Sequence, residues 1–219
     1  QVRRVYGRSA CPFRFKIPFF QMKNFSLFDQ TVEAFRCLPG VGSKTAQRML
    51  LHLLERDRTR GELLVRLLGE SLEKIKNCAL CRNISETELC EICRDQRRDK
   101  SMLCVVESPS DVIAIEQASA FNGLYFVLSG TLSPIEGRGG EEIGVPDLIK
   151  RCQENISEVI VAVSSTVEGE ATSFFLFESL RHSNIKISRI AQGVPRGGEL
   201  ELVDGLTLSH AFEGRQNLE

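Results

Sequence analysis

The chain has 219 residues, 42% apolar and 26% charged, with a formal net charge of −1. That length can bury a real core in one large domain or two small ones, and no stretch approaches the roughly 18–20 apolar residues that a membrane-spanning helix needs. The near-neutral total hides a split: residues 22–100 hold 15 Lys/Arg against 12 Asp/Glu, net +3, while residues 101–219 hold 8 against 17, net −9. Such asymmetry predicts two kinds of partner, and the small positive total limits any nucleic-acid contact to a local patch.

Residues 1–21 are basic and aromatic, with five Lys/Arg and no acid. They lack the sustained apolar run of a secretory signal. We expect translation to begin at Met22, leaving 1–21 as read-through or a disordered tail; an Arg-rich targeting presequence is the alternative. From Phe25 onward, Phe28, Val32 and Phe35 fall on one helical face. A glycine turn, LPGVG, follows at 38–42, and then Ala46, Met49, Leu50, Leu53 and Leu54 repeat as an amphipathic helix. The GSKT that starts this helix is no phosphate loop of the Walker type, because Ser43 separates glycine from lysine and a helix, not a strand, precedes it. Two helices joined by Gly-Val-Gly instead suit a helix-hairpin-helix. The backbone N–H groups around Gly40 and Gly42 would face an anion at a helix N-terminus, with Lys44 and Arg48 one turn apart for neighbouring phosphates. A plain helical hairpin is the competing reading. Leu63, Leu64, Leu67, Leu68, Leu72 and Ile75 predict a third helix with one apolar stripe.

Cys78 and Cys81 form one C-x-x-C pair, and Cys90 and Cys93 a second. Two such knuckles put four thiolates on a tetrahedron around one structural Zn²⁺ with no open position; two disulfides in an oxidising compartment are the alternative. Cys11, Cys37, Cys104 and Cys152 are scattered, and Cys104 reads as core. After Ser101 the pattern changes. MLCVV, LYFVL and VIVAV suit buried parallel strands, separated by helices near 109–119, 146–154 and 168–182. Ser108, Pro109 and Asp111 carry a capping signature for the first of these. The glycine-rich GRGGEE at 137–142 reads as a flexible loop, and His52, His182 and His210 lie too far apart in sequence to suggest catalysis.

Taken in order, LPGVGSKTAQRM, CALC…CEIC, CVVESPSDVIAIE, TVEGEAT and GVPRGGELELVDGLTLSHAF resemble the bacterial recombination mediator family RecR, over about residues 22–215. The resemblance implies a multi-module α+β chain: a helix-hairpin-helix at 22–56, a connecting helix at 57–77 and a four-cysteine zinc module at 78–101. An α/β Toprim domain with a parallel sheet would occupy 102–192, and a C-terminal oligomerisation segment 193–219. Toprim enzymes place a Glu after the first strand and an Asp-x-Asp pair after the third. Glu107 matches the first, but Ser164 and Thr166 stand where the two aspartates would be. Neutral hydroxyls are poor Mg²⁺ ligands, and phosphoryl transfer without the metal loses its main charge stabilisation.

The resemblance therefore implies a non-enzymatic cytoplasmic repair factor, associated with the nucleoid. It would act with RecO, and in some contexts RecF, to load RecA on gapped DNA, and would assemble as a homo-oligomeric ring. Glu107, Asp111, Glu168 and Glu170 are expected to gather at the carboxyl edge of the sheet as a negative patch that docks a basic partner. The rival is a Mg²⁺-dependent nuclease or topoisomerase-like enzyme using Glu107, Glu168, Glu170 and Asp204; a third reading is a scaffold that does not touch DNA.

Overall fold

The computed structural model describes residues 26–195 and 197–215, so the expectations for residues 1–21 and Cys11 lie outside the described residues. The chain divides into two compact units between Glu73 and Lys74.

In the first unit, α1 (Leu27–Phe35) starts at Ser26, whose hydroxyl accepts from Asp29 N at 3.2 Å. The glycine turn leads into α2 (Ser43–Glu55), and α3 (Arg58–Lys74) follows. Val32, Ala46 and Leu50 form a small core, with Phe28, Phe35 and Val41 packed around it. Met49 and Leu54 of the expected α2 stripe are exposed. On α3 the predicted stripe exists, but no residue of the helix is buried, and Leu63 to Leu72 are 42% to 75% exposed.

The second unit opens with a two-stranded ribbon, β1 (Lys76–Asn77) antiparallel to β2 (Ile84–Ser85), and a short helix α4 (Glu91–Arg94). Then come β3 (Asp99–Val106), α5 (Pro109–Gln117), β4 (Gly123–Val127), α6 (Gly140–Ile143), α7 (Val145–Cys152), β5 (Glu158–Ala162), α8 (Val167–Leu180), β6 (Lys186–Arg189) and α9 (Gly205–Glu213). The four longer strands form one parallel sheet in the order β4-β3-β5-β6. Alternate side chains of a strand point to opposite faces, which splits the core in two. Leu103, Val105, Phe126, Val159 and Val161 pack against Leu148, Leu176 and Leu180 on one side. Cys104, Val106, Tyr125 and Val127 pack against Val112 on the other.

Two expectations need correction. GRGGEE is not a loop throughout: its second half enters α6, because Glu142 accepts from Gly139 N at 2.9 Å and fully buried Ile143 anchors the turn. The sheet also has a fourth strand, β6, beyond the three predicted. It lies at an edge with Ile187 packed against the core, so its sequence carries little apolar signal.

Candidate functional site

The first cysteine knuckle follows β1. Cys78 N donates to Asn83 O at 2.7 Å and Arg82 N to Cys78 O at 2.9 Å, which folds the two thiols of the pair toward each other. The second knuckle opens α4, where Cys90 is the N-cap. Its sulfur accepts from Cys93 N at 3.5 Å, and the Cys78 sulfur accepts from Cys90 N at 3.3 Å. All four Sγ atoms lie within 4.8 Å of one another, three of the residues being buried. Cys81 and Cys90 Sγ are 3.5 Å apart. A disulfide needs about 2.05 Å. Four sulfurs around Zn²⁺ at about 2.3 Å sit about 3.8 Å apart, so the cluster fits one structural zinc ion. The four thiols are free and spaced for a shared ion, which favours the zinc site over the disulfide alternative. Hydrogen bonding to Cys90, with burial, pushes Cys81 up, while the same contact pulls Cys90 down. A divalent cation held by these residues would keep all four as thiolates.

The hairpin turn brings together Gly40, Gly42, Lys44 and Arg48. Gly40 sits in the left-handed region (φ 75°), and Val41 N closes the turn on Leu38 O at 3.2 Å. Gly42 caps α2 without a side-chain acceptor, and the first turn holds no acid. The positive end of the helix is thus left to the first-turn N–H groups. Lys44 and Arg48 are exposed.

The sheet reverses its winding between β3 and β5, and in open parallel sheets such a switch point is where a cleft forms at the strands' carboxyl ends. Glu107, just past β3, accepts from Ser164 N at 2.6 Å with its Oε1. Ser164 and Thr166 hydroxyls lie 2.9 Å apart, and Thr166 caps α8 by accepting from Gly169 N at 3.1 Å. Gly169 leaves room for this turn, since a Cβ there would fall 2.0 Å from Ser164 O. The Ser164 and Thr166 hydroxyls, expected from the resemblance to stand in place of two aspartates, are thus engaged with each other and with the helix start. Asp111 closes the predicted capping box, accepting from Ser108 N and Oγ, both at 2.8 Å. Glu168 is exposed in the first turn of α8.

Glu170 pairs with both terminal nitrogens of Arg189 on β6, one at 2.7 Å, and this interaction holds its carboxyl below the ordinary range. The expected negative patch thus contains a cation. Asp204 is the N-cap of α9, accepting from Leu206 N at 3.1 Å and Thr207 N at 3.0 Å. Among the described residues, the four cysteines are the only group of three or more His, Cys, Asp or Glu placed to share an ion.

Comparison with known proteins follows the same module order. Residues 28–72 match the RecR helix-hairpin-helix family, 75–95 the RecR four-cysteine zinc finger domain, 101–191 the Toprim domain and 193–216 the RecR C-terminal family. Recombination protein RecR of Methylococcus capsulatus is 50% identical over 197 residues, covering 90% of this chain and 100% of that protein. Recombination protein RecR of Pseudomonas syringae pv. tomato is 53% identical over 192 residues, covering 87% and 96%. The chain belongs to the RecR family.

Two arginines of this RecR-family chain escape a reading of the sequence. Arg82, between a zinc ligand and Asn83, reaches Ser129 Oγ and Ile143 O. Arg189 reaches Glu170 from the edge strand. Both act on groups distant in sequence, and neither lies in a periodic pattern that would mark it.

Proposed function

We propose that the chain is a non-catalytic, DNA-binding recombination mediator of the bacterial cytoplasm that works with RecO, and in some contexts RecF, to load RecA on gapped single-stranded DNA. One observation supports the non-catalytic half of this reading: Glu107 is bonded to Ser164 N–H, and the Ser164 and Thr166 hydroxyls, which the resemblance sets in place of two aspartates, are bonded to each other. A cleft so satisfied offers no set of carboxylates to a catalytic Mg²⁺. Asp204, which the rival enzyme would need, is engaged as a helix cap.

The DNA-binding half draws on the hairpin. Its uncapped helix start, with Lys44 and Arg48 beside it, suits phosphates and offers nothing to read bases. One hairpin reaches few phosphates, so useful affinity requires several copies, as a homo-oligomeric ring would present. The exposed leucines of α3, and Leu202, Leu206 and Phe212 in the C-terminal segment, support such assembly. Light scattering that returned a monomer at working concentration would remove the ring.

The decisive experiment is a titration of gapped DNA at several salt concentrations. Lys44→Ala/Arg48→Ala is expected to weaken binding equally across sequences and to flatten the salt dependence, by about one unit of slope for each phosphate no longer neutralised. Affinity and slope equal to wild type would reduce the hairpin to a structural turn. Mg²⁺-dependent cleavage by the intact protein would overturn the non-catalytic reading.

A further inference from the structure

Between β4 and α7 the chain makes a long excursion whose two ends meet, Ser129 N donating to Ile143 O at 3.1 Å. It is an Ω-loop. One limb borders the cleft: Gly130 N donates to Glu107 O at 3.2 Å, and Leu132 N to Thr172 Oγ1 at 2.9 Å. The neck is also gripped from outside, by the zinc module. Arg82 donates from Nη1 to the same Ile143 O at 3.1 Å and from Nη2 to Ser129 Oγ at 2.8 Å. Its guanidinium lies 5.9 Å from the centre of the Phe126 ring. Gly144 makes the room, because a Cβ there would fall 1.1 Å from Arg82 Nη1.

Arg82 holds this position from an uncommon backbone conformation, φ 62°. A non-glycine residue stays there only where its surroundings impose it. Here the surroundings are the first knuckle: Arg82 follows Cys81 directly, and its N–H is bonded to Cys78 O. Cys81 O in turn accepts from Val127 N at 2.8 Å, at the end of β4.

We propose that the metal-bound knuckle is a clamp on the Ser129–Ile143 loop, with Arg82 carrying the geometry of the zinc site to the neck of the loop beside the cleft. Without metal the two cysteine turns lose their common anchor. Arg82 is then released from its left-handed conformation, and both of its donors leave the neck. The ties to Glu107 and Thr172 remain, so the loop loosens first, ahead of any opening of the sheet. This inference stands whether or not the chain binds DNA.

Hydrogen exchange read by mass spectrometry on the intact protein, with zinc content measured in parallel, tests it. Arg82→Met keeps an aliphatic stem over Phe126 and removes both donors. The variant is expected to retain its zinc and to exchange about tenfold faster across residues 129–144, with β3 and β5 unchanged. Chelating zinc from the wild-type protein should raise exchange in the same peptides. Unchanged exchange there in the variant would overturn the proposal. So would loss of its zinc, which would make Arg82 a support of the metal site instead of its output. If the variant proves insoluble, Ser129→Ala, which removes one acceptor, must still speed exchange in those peptides; wild-type protection would overturn the clamp.

Discussion

Glu170 and Arg189 meet at a place where the sequence suggests only negative charge. Arg189 lowers the carboxyl's affinity for protons, so the folded state holds it ionised more strongly than the unfolded chain, whose ordinary value is near 4.5. A lowered folded value means that the stabilisation is fully present above about pH 4.5 and is lost as the pH falls through the lowered value. Arg189 and Glu170 are partly exposed, at 31% and 43%, so screening keeps the contribution under about 1 kcal/mol. Urea midpoints of the wild type and Glu170→Gln should therefore differ slightly at pH 7 and converge as the pH falls through the lowered value. A gap that stays equal through that fall would mean that the pair contributes nothing through charge. From the sequence, Ser164 and Thr166 read as hydroxyls in acid positions only through the family resemblance. The bond from Ser164 N to Glu107 could not be read at all, because it joins residues brought together only by parallel pairing of β3 and β5.

At the level of elements, periodicity carried the interior and failed at the edges. Helices α5, α7 and α8 fall within two residues of their expected limits, because α7 and α8 have buried residues at helical spacing and α5 starts at a capping box with Pro109 in its first turn. The strands β3, β4 and β5 were legible because both faces are covered and the apolar run is continuous. The edge strand β6 and the one-turn helix α6 were not, since tertiary packing and a single buried side chain hold them. The cysteine module was legible from spacing alone, because four thiols in two C-x-x-C pairs have few other uses. Its closed geometry predicts that Cys78→Ala or Cys90→Ala yields unstable or insoluble protein, with less than the single zinc equivalent expected of wild type, since three thiolates leave the site open. Metal analysis of purified protein under reducing conditions checks this; a stable, zinc-free wild type would refute it.

For the whole molecule, the charge split falls after the zinc module, near residue 100, and not at the division between the two units. The first carries the basic hairpin, and the second carries the acidic cleft edge. Of the four acids there, Glu107, Asp111 and Glu170 have structural bonds, so the accessible charge for a basic partner is best represented by exposed Glu168. If the proposed partnership with RecO uses this edge, Glu168→Lys should weaken that binding in a salt-sensitive way while leaving zinc content and the proposed assembly intact. A low-salt titration giving wild-type affinity would move the docking surface elsewhere. Glu107→Lys is a poorer probe, because it also releases the backbone at Ser164.

The zinc module also bears on how the molecule fails. β4 is a border strand of the sheet, buried along its length and uncharged, and its sequence Gly-Leu-Tyr-Phe-Val is strongly strand-forming. An unguarded border of that kind is a template for other chains. Here it is guarded at both ends: Cys81 O takes Val127 N–H, and Arg98 Nη1 donates to Gly123 O at 3.0 Å. Ile92, from the module's helix, adds an apolar cover. Stripping the metal thus uncovers a sticky seam before the sheet itself has melted. Damaged molecules would be lost to clumping, and their lifetime would be governed by how fast they shed zinc rather than by a reversible unfolding equilibrium.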